Sequence, residues 1–413
     1  MKYIRPGAVE GAVRAPPSKS MMQRAVIIAA LAEGESLITN PTFCDDAIAT
    51  MNVAEALGAQ IARGPEGVMV QGGGKPKCGV LDCGESGTCM RMISAVAALF
   101  DKEFTVTGKG SLQKRPVGMI EEPLRALGAE CKTAGGLPPI RIKGPIHGGK
   151  VRVDGSVSSQ FVSGLLMALP LCKEDSEVEV FDLKSNAYVS MTQSLMFLFG
   201  VSIYPDESME RFLINGGQRY KARRYGVEGD WSGAAFLLVA GAISGSVRME
   251  RLVSGIQPDQ GIRDALFQAG ADIVSEDDST RARGGNLRAF EFDATGCPDL
   301  FPPLAVLACN CRGKTVITGA SRLKHKESDR AAVLAGELGR LGADIKVIGD
   351  RMEIAGKKLA GGRIDPHGDH RIAMAGAIAA LNSEKGVEII DERCVSKSYP
   401  GFFEDLESLR VRK

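Results

Sequence analysis

Five segments of the chain share one pattern of apolar and polar positions. Each segment has apolar residues at helical spacing, then a glycine, then a short run of β-prone residues such as Val201–Ile203. Glycine is common just past a helix C-terminus because it adopts the left-handed conformation there without strain. The pattern therefore predicts five helices, each followed by a strand. The five glycines are spaced 70, 72, 70 and 72 residues apart, at Gly58, Gly128, Gly200, Gly270 and Gly342.

The period of this pattern predicts the organisation of the whole chain. A further apolar run at residues 401–409 ends about where the period places a sixth helix, so the chain consists of six α/β units. A length of 413 residues exceeds what one hydrophobic core usually serves, which favours two domains of three units each. The polar, glycine-led stretch 216–225 lies near the midpoint and has the composition of a linker.

Composition narrows the function classes. The formal net charge of +1 argues against a general nucleic-acid-binding protein. No apolar run reaches the roughly 18–20 residues that a membrane helix needs, and the first residues have no apolar signal core, so we expect a cytoplasmic protein. The ten cysteines form no C-x-x-C pair and there are only four histidines, which argues against a zinc site and favours free thiols in a reducing compartment.

The most highly charged short stretch is Lys324–Arg330, which precedes an apolar run with helical spacing. Ser328 and Asp329 are residue types that cap helices, so the stretch is predicted to begin a helix. The free N–H groups and the positive end of a helix dipole favour anions there. Glu327 is then a carboxylate between Lys326 and Arg330 in an anion site. A solvated charge run at a helix start is the alternative interpretation.

Similar polar or cationic residues precede most of the other predicted helices. Gly87 lets a ligand approach the backbone, and Arg115 is held in an extended conformation by the following proline. Asp299 is either a helix cap or a residue that takes part in a reaction. If the helices of each domain run in parallel, their positive ends share one cleft that attracts anions. An ordinary capped helix or a flexible basic loop is the alternative at each position. Seven cations belong to this pattern: Lys19, Arg24, Arg115, Lys326, Arg330, Arg371 and Lys397.

Taken together, in their order and spacing, these motifs resemble the 5-enolpyruvylshikimate-3-phosphate synthase family over essentially the whole chain. Each motif is weak alone, and the full set is specific. The residues that carry the resemblance are Pro17–Ser20 with Arg24, Gly84–Thr88, Gln113–Pro116, Ser158–Gln160, Lys326–Arg330, Asp369–Arg371 and Lys397.

The resemblance implies a fold and an activity. The fold is an α/β one with two similar domains, each of three βαβαββ-type units whose helix N-termini face an interdomain cleft that closes on the substrates. The first domain is discontinuous, residues 1–14 and 224–413, and the second is 15–223. The enzyme transfers the enolpyruvyl group of phosphoenolpyruvate to the 5-hydroxyl of shikimate 3-phosphate, releases phosphate, needs no metal or organic cofactor, binds no nucleic acid or membrane, and is a monomer.

The resemblance also assigns roles to residues. Asp299 is the candidate base, Glu327 the candidate acid, and Lys19 the cation that contacts both substrates and the leaving phosphate. Shikimate 3-phosphate is expected to contact Lys19, Ser20, Arg24, Ser158, Ser159, Gln160, Ser185, Asp299 and Lys326. Phosphoenolpyruvate is expected to contact Lys19, Gly87, Arg115, Gln160, Arg330, Arg371 and Lys397.

Two features complicate this assignment. A general acid must be protonated when it acts, yet Lys326 and Arg330 favour ionised Glu327, so bound phosphates and cleft closure would have to reverse this preference. If Glu327 is not the acid, Lys397 or Lys19 is the remaining proton donor. The chain also has Glu85-Ser86 where many relatives have Asn-Ala, which leaves the contacts beside Gly87 open.

Three other functions compete with this assignment. The sister enzyme that acts on UDP-N-acetylglucosamine has the same fold and donor, but its loop cysteine has no counterpart in residues 108–116. The RNA 3′-phosphate cyclase has a related repeat and a reactive histidine, for which His370 is the candidate, but the neutral charge argues against RNA. A non-catalytic anion-binding protein would gain nothing from Asp299 and Glu327, since carboxylates weaken anion binding.

Overall fold

The structure is a computed structural model and describes residues 1–411. The chain divides into two compact units. Unit 1 contains Met1–Ser18 and Glu228–Lys413, and unit 2 contains Lys19–Val227. These boundaries lie a few residues after the predicted ones at residues 14 and 223. No helix among the described residues is both long enough and apolar enough to cross a membrane.

Two N-terminal strands belong to unit 1, β1 (Lys2–Ile4) and β2 (Val9–Arg14). Unit 2 follows as three similar groups of elements. The first group is α1 (Lys19–Leu31), β3 (Glu35–Thr39), α2 (Asp45–Ala56), β4 (Gln60–Gly64) and β5 (Gly67–Gln71). The second is β6 (Val80–Asp82), α3 (Gly87–Ala97), β7 (Glu103–Thr107), α4 (Glu121–Ala126), β8 (Glu130–Ala134) and β9 (Leu137–Lys143). The third is β10 (Lys150–Asp154), α5 (Ser159–Ala168), β11 (Ser176–Phe181), α6 (Asn186–Leu198), β12 (Tyr204–Pro205) and β13 (Arg211–Ile214), after which β14 (Arg224–Gly226) ends the unit.

The rest of unit 1 repeats the same order of elements, except that its last group has no strand pair after the second helix. Its first group is α7 (Trp231–Ser244), β15 (Gly245–Glu250), α8 (Ile262–Gln268), β16 (Asp272–Glu276) and β17 (Ser279–Arg283). The second is β18 (Glu291–Asp293), α9 (Phe301–Cys309), β19 (Lys314–Thr318), α10 (Arg330–Arg340), β20 (Asp344–Ile348) and β21 (Arg351–Ala355). The third is β22 (Gly362–Ile364), α11 (His370–Leu381), β23 (Val387–Ile389) and α12 (Phe402–Ser408). Short 3-10 helices connect these elements at Gly110–Lys114, Gly118–Ile120, Leu169–Leu171, Pro258–Gly261, Pro298–Leu300, Ala320–His325 and Glu392–Lys397.

Among residues 1–411, each group forms one small mixed sheet, which gives five four-stranded sheets and one three-stranded sheet. In the second group of unit 2 the strand order is β6-β7-β9-β8, with β6 and β7 parallel and the other pairs antiparallel. A parallel pair requires a crossover, which α3 provides, whereas the antiparallel β8 and β9 need only a turn. The predicted βαβαββ unit is therefore the repeating element of the fold.

Three sheets are completed by strands from a distant part of the chain. In unit 2, β14 pairs with β3 in parallel. In unit 1, β2 pairs with β15 in parallel and β1 pairs with β23 antiparallel. Each unit therefore closes its first group with a strand that the local repeat does not supply.

Each unit has its own core, built around three helices that are buried on nearly every side. In unit 2 these helices are α1, α3 and α5, and in unit 1 they are α7, α9 and α11. A helix that is apolar all round packs inside a domain rather than on its surface. The polar residues that begin α1, α3, α5 and α11 therefore lie at the ends of core elements, whose positions packing fixes.

The predicted helix ends are confirmed at all five glycines, whose φ angles are +113°, +99°, +85°, +84° and +100°. The sixth predicted helix is α12. The expectation of a strand at Val201–Ile203 is wrong, because the strand near it contains only Tyr204 and Pro205. Side chains replace strand pairing there: Gln218 Oε1 accepts a hydrogen bond from the Ser202 N–H at 2.9 Å, and Gln193 Nε2 donates to the Ile203 carbonyl at 3.3 Å.

Candidate active site

In unit 2, Lys19 is the first residue of α1 and is buried. Its Nζ donates to Asp46 Oδ2 at 2.9 Å, and Asp46 lies in the first turn of α2. This pair joins the starts of two helices, so it fixes the position of the ammonium group. Sequence reasoning selected Lys19 but not Asp46.

Arg24 is buried one turn further along α1. Its guanidinium donates to three neutral oxygens, Thr192 Oγ1 at 2.8 Å, the Ser20 carbonyl at 3.0 Å and the Tyr188 carbonyl at 3.1 Å. Burial lowers the pKa of Arg24 to about 10. These three bonds use three of the five guanidinium N–H groups, so a buried cation retains donors for an anion.

The hydrogen bond between Arg24 and Thr192 also connects the helices that carry the serines predicted to bind substrate. Thr192 lies on α6, and its hydroxyl is 3.0 Å from the Ser163 hydroxyl on α5. Helices α1, α5 and α6 are thus linked through one polar chain in the interior of unit 2. The candidate serines lie at or beside the N-termini of these three helices: Ser20 on α1, Ser158 and Ser159 on α5, and Ser185 before α6.

At the start of α3, Gly87 lies directly against Arg115. A Cβ atom on Gly87 would be 2.5 Å from Arg115 Nη1, so a side chain at this position would displace the guanidinium. Arg115 has φ −86° and ψ 133°, the extended conformation predicted for a residue before proline. The structure therefore brings together two residues that the sequence assigned to the same ligand.

Gln160 lies in the first turn of α5 and is held by two residues of α3. Its Oε1 accepts from Arg91 Nη1 at 2.9 Å, and its Nε2 donates to Thr88 Oγ1 at 2.8 Å. Arg91 also donates to the Pro116 carbonyl at 3.1 Å, next to Arg115. Sequence reasoning missed Arg91, although its place four residues after Gly87 on one helix face was a signal.

In unit 1, the carboxylate of Asp299 is the centre of a charged cluster. It lies in the 3-10 helix Pro298–Leu300 and is partly buried. Its Oδ1 accepts from Arg330 Nη1 at 2.9 Å and from Lys326 Nζ at 3.4 Å, and its Oδ2 accepts from Arg371 Nη2 at 2.9 Å. Within residues 1–411, none of the hydrogen bonds of Asp299 caps a helix. The structure therefore shows contacts between Asp299 and cations rather than the helix-cap role.

Arg330 connects this carboxylate to two others. Its Nη2 donates to Glu327 Oε2 at 2.6 Å, and its Nε donates to Asp369 Oδ2 at 2.9 Å. Asp369 is wholly buried and caps α11 by accepting from the Arg371 N–H at 3.0 Å. The predicted helix start is confirmed, because Asp329 caps α10 through a bond from the Ala332 N–H. Asp369 was part of a recognised motif but was not selected as a site residue.

The charges in this cluster shift one another's pKa values. Burial raises the pKa of Asp299, but Arg371, Lys326 and Arg330 outweigh burial and hold it well below its ordinary value. Burial lowers the pKa of Lys326 to about 8 even though Asp299 opposes that shift. Burial also lowers the pKa of Arg330, but the carboxylates of Asp369, Glu327 and Asp299 outweigh it and keep Arg330 charged.

Lys397 ends the 3-10 helix Glu392–Lys397 and is buried. Its Nζ donates to the Gly368 carbonyl at 2.7 Å, in the turn that leads into Asp369 and Arg371. All six candidate residues of unit 1 are therefore carried by the segments around the starts of α9, α10, α11 and α12. They are Asp299, Lys326, Glu327, Arg330, Arg371 and Lys397.

The described residues 1–411 contain no group of three or more His, Cys, Asp or Glu side chains placed to hold a metal ion. The two sets of residues offer cations, hydroxyls, one amide and two carboxylates. Such groups bind phosphate and carboxylate oxygens and move protons.

Comparison with known proteins gives this arrangement a family. A family model described as EPSP synthase (3-phosphoshikimate 1-carboxyvinyltransferase) matches residues 4–406. The chain belongs to the EPSP synthase family. It is similar to a 3-phosphoshikimate 1-carboxyvinyltransferase of Clostridium perfringens, with 39% identity over 98% of this chain and 97% of the relative. A protein of the same name from Methanosarcina mazei is 40% identical, over 99% of this chain and 97% of the relative.

A solved structure agrees with the sequence comparisons. The EPSP synthase of Acinetobacter baumannii matches with a TM-score of 0.84 and 30% sequence identity, covering 99% of this chain and 98% of that one. The predicted family, the α/β fold class and the carboxyvinyltransferase activity are confirmed by these comparisons.

Proposed function

We propose that the protein transfers the 1-carboxyvinyl group of phosphoenolpyruvate to the 5-hydroxyl of shikimate 3-phosphate and releases phosphate. Membership of the EPSP synthase family supports the reaction and both substrates. We also propose that it acts in the cytoplasm as a monomer. The observation that carries the proposal is the Asp299 carboxylate held by Lys326, Arg330 and Arg371, with Glu327 on the same arginine.

That cluster fits catalysis better than anion binding alone. A protein that only traps anions loses affinity from each carboxylate placed among its cations. A reaction that removes a proton from one atom and adds a proton to another needs two groups that exchange protons. The two carboxylates on Arg330 fit that need. The structure therefore favours an enzyme over the binding protein considered from the sequence.

Shikimate 3-phosphate is assigned to the hydroxyls and cations that the family motifs share. In unit 2, Arg24 is the strongest candidate because its three protein contacts are to neutral oxygens and its charge is buried. The phosphate group matches Lys326 together with hydroxyl and amide donors. The other residues assigned to this substrate are Lys19, Ser20, Ser158, Ser159, Gln160, Ser185 and Asp299.

Phosphoenolpyruvate is assigned to the guanidinium groups. Arginine forks bind carboxylate and phosphate through two parallel hydrogen bonds, and Gly87 leaves room for one such fork on Arg115. In unit 1, Arg330 and Arg371 both contact Asp299, so a bound anion competes with Asp299 for them. The full set for this substrate is Lys19, Gly87, Arg115, Gln160, Arg330, Arg371 and Lys397.

The chemistry assigns opposite tasks to the two carboxylates. The 5-hydroxyl loses its proton to Asp299 as its oxygen bonds to C2 of phosphoenolpyruvate, and the methylene carbon C3 gains a proton from Glu327. The vinyl group is then restored when C3 returns a proton to the Glu327 carboxylate and the C2–O bond to phosphate breaks. Lys19 offers a cation to the departing phosphate.

The low pKa of Asp299 bears directly on its role. It ensures that the carboxylate is ionised at neutral pH, but it also makes the carboxylate a weak proton acceptor. If phosphoenolpyruvate draws Arg330 and Arg371 away from Asp299, the pKa of Asp299 rises and the base becomes stronger when the donor is bound. Acid–base help of this kind contributes about 10²–10⁴-fold, so positioning and electrostatic stabilisation supply the rest of the rate.

The test is phosphate release on mixing the protein with phosphoenolpyruvate and either shikimate 3-phosphate or UDP-N-acetylglucosamine. We expect release with the shikimate ester alone. Release with the sugar nucleotide alone would keep the donor and overturn the acceptor. Release with neither would contradict the proposed reaction.

The pKa of Lys326 predicts how affinity for shikimate 3-phosphate depends on pH. Because the ammonium form binds phosphate and the pKa is about 8, the KM for shikimate 3-phosphate should rise as pH increases through 8. Because binding requires one proton on Lys326, this KM should increase about tenfold per pH unit above about pH 8. Initial rates from about pH 6.5 to about pH 9.5 measure this dependence.

Lys326→Arg is the matched control, because arginine keeps its charge over this range. The inflection near the Lys326 pKa should disappear in that variant. An unchanged inflection in Lys326→Arg would assign the titration to another group.

A further inference from the structure

Gln23 occupies a point where three helices of unit 2 begin. It lies four residues after Lys19 on α1, on the same face of the helix, and is wholly buried. Its Nε2 lies 2.7 Å from Ser86 Oγ, 2.8 Å from Thr50 Oγ1 and 3.2 Å from the Asp46 carbonyl. These acceptors belong to the start of α3 and to the first turns of α2.

The neighbouring donors fix the orientation of the Gln23 amide. The Thr50 hydroxyl donates its hydrogen to the Asp46 carbonyl at 2.8 Å, so it can only accept from Gln23. The amide nitrogen must therefore face Thr50, with its two N–H groups directed to the two nearest oxygens, Thr50 Oγ1 and Ser86 Oγ. The Ser86 hydroxyl accepts a second bond, from the Cys89 N–H at 3.2 Å, which caps α3.

Each helix joined by Gln23 carries a group assigned to substrate. Helix α1 carries Lys19, and α2 holds the Lys19 ammonium through Asp46 Oδ2 at 2.9 Å. Helix α3 begins at Gly87, the residue after Ser86, and Gly87 lies against Arg115. The Gln23–Ser86 bond is therefore a short direct connection between Lys19 and the turn that holds Arg115.

We infer that Gln23 and Ser86 form a positioning pair that holds Lys19 and the Gly87–Arg115 turn at the spacing that phosphoenolpyruvate needs. The inference rests on the proposed function, in which Lys19, Gly87 and Arg115 contact phosphoenolpyruvate.

The test is a double-mutant cycle on Gln23→Met and Ser86→Ala. Methionine keeps the length and burial of Gln23 but removes the amide. Each single variant should raise the KM for phosphoenolpyruvate about 5- to 20-fold, the size of one buried hydrogen bond. The kcat should stay within about threefold of wild type, because neither residue contacts the reacting atoms.

Non-additivity and rescue distinguish positioning from general destabilisation. Because both substitutions remove the Gln23–Ser86 bond, the increase in KM of the double variant should be smaller than the product of the two single increases. Ser86→Thr keeps the hydroxyl and should restore a KM near that of wild type.

Ser94→Ala is the matched control. Ser94 is a buried serine of the same helix, but its hydroxyl donates to the Met90 carbonyl at 2.7 Å, within α3. We expect Ser94→Ala to leave the KM for phosphoenolpyruvate unchanged and to lower the thermal unfolding midpoint less than Ser86→Ala, which also removes the cap of α3.

The outcomes separate this inference from the proposed function. An active wild-type protein whose KM is unchanged in Gln23→Met, or whose two variants have independent effects on KM, would overturn the inference alone. Absence of turnover in the wild-type protein would overturn the proposed function and the inference with it.

Discussion

An Arg330→Met variant should lose about 3–5 kcal/mol of the free energy of unfolding of unit 1, and its turnover should be undetectable. The side chain of Arg330 is wholly buried and pairs with Asp369, which is also wholly buried, and with Asp299 and Glu327. Methionine fills similar space but leaves the Asp369 carboxylate buried without its main cation. The cost of that uncompensated charge is larger than the free energy the ion pair itself contributes.

Urea denaturation followed by circular dichroism measures this loss, and phosphate release measures turnover. Arg248→Met provides the control in the same unit, because Arg248 pairs with Glu276 at 2.6 Å and both side chains are exposed, at 44% and 58%. Exposed ion pairs contribute about 0–1 kcal/mol, so the control should remain close to wild type. A stable Arg330→Met protein with unfolding like that of the control would contradict the role of Arg330 as the link between the three carboxylates.

Glu327→Gln should lower kcat about 10²–10⁴-fold and change the KM for phosphoenolpyruvate only slightly. In the wild-type protein, Arg330 Nη2 donates to Glu327 Oε2 at 2.6 Å. Glutamine keeps the size of the side chain and an oxygen that can accept this hydrogen bond. It cannot donate a carboxylic acid proton to C3 of phosphoenolpyruvate. The loss should therefore appear in the chemical step, which single-turnover kinetics separate from binding.

The contact with Arg330 makes this experiment decisive for the acid. In the structure Glu327 accepts a hydrogen bond from a guanidinium, which is the contact of an ionised carboxylate. Near-normal turnover in Glu327→Gln would remove Glu327 from proton transfer and leave Lys397 or Lys19 as the donor. The same variant should unfold like wild type, because a neutral amide on Arg330 leaves no buried charge unpaired.

Local signals in the sequence are sufficient to predict where the helices at the site begin and end. Asp329 and Ser86 cap helices through bonds to N–H groups three residues away, and Arg115 is extended because proline follows it. These effects act over a few residues, so a single sequence contains them. The same is true of the glycines that end helices.

Partners that lie far apart in the sequence could not be read in this way. Asp46 meets Lys19 from 27 residues away, and Asp369 meets Arg330 from 39 residues away. Nothing in the local pattern distinguishes Asp46 from its neighbour Asp45, because only the packing of α1 on α2 decides which carboxylate faces the lysine. Gln23 was missed for the same reason: its three partners come from two other helices.

Some strands pair with strands that lie far away in the sequence, so parts of the fold become able to form at different times during synthesis of the chain. Unit 2 is continuous from residue 19 to residue 227, so all of its partners emerge in one stretch. Strand β1, at residues 2–4, pairs with β23 at residues 387–389, which the ribosome adds about 20–80 s later at the usual 5–20 residues per second. During that interval the N-terminal segment lacks β23, the partner of β1, while unit 2 can already fold. An N-terminal fusion partner that holds this segment should therefore slow maturation of unit 1 and leave unit 2 unaffected.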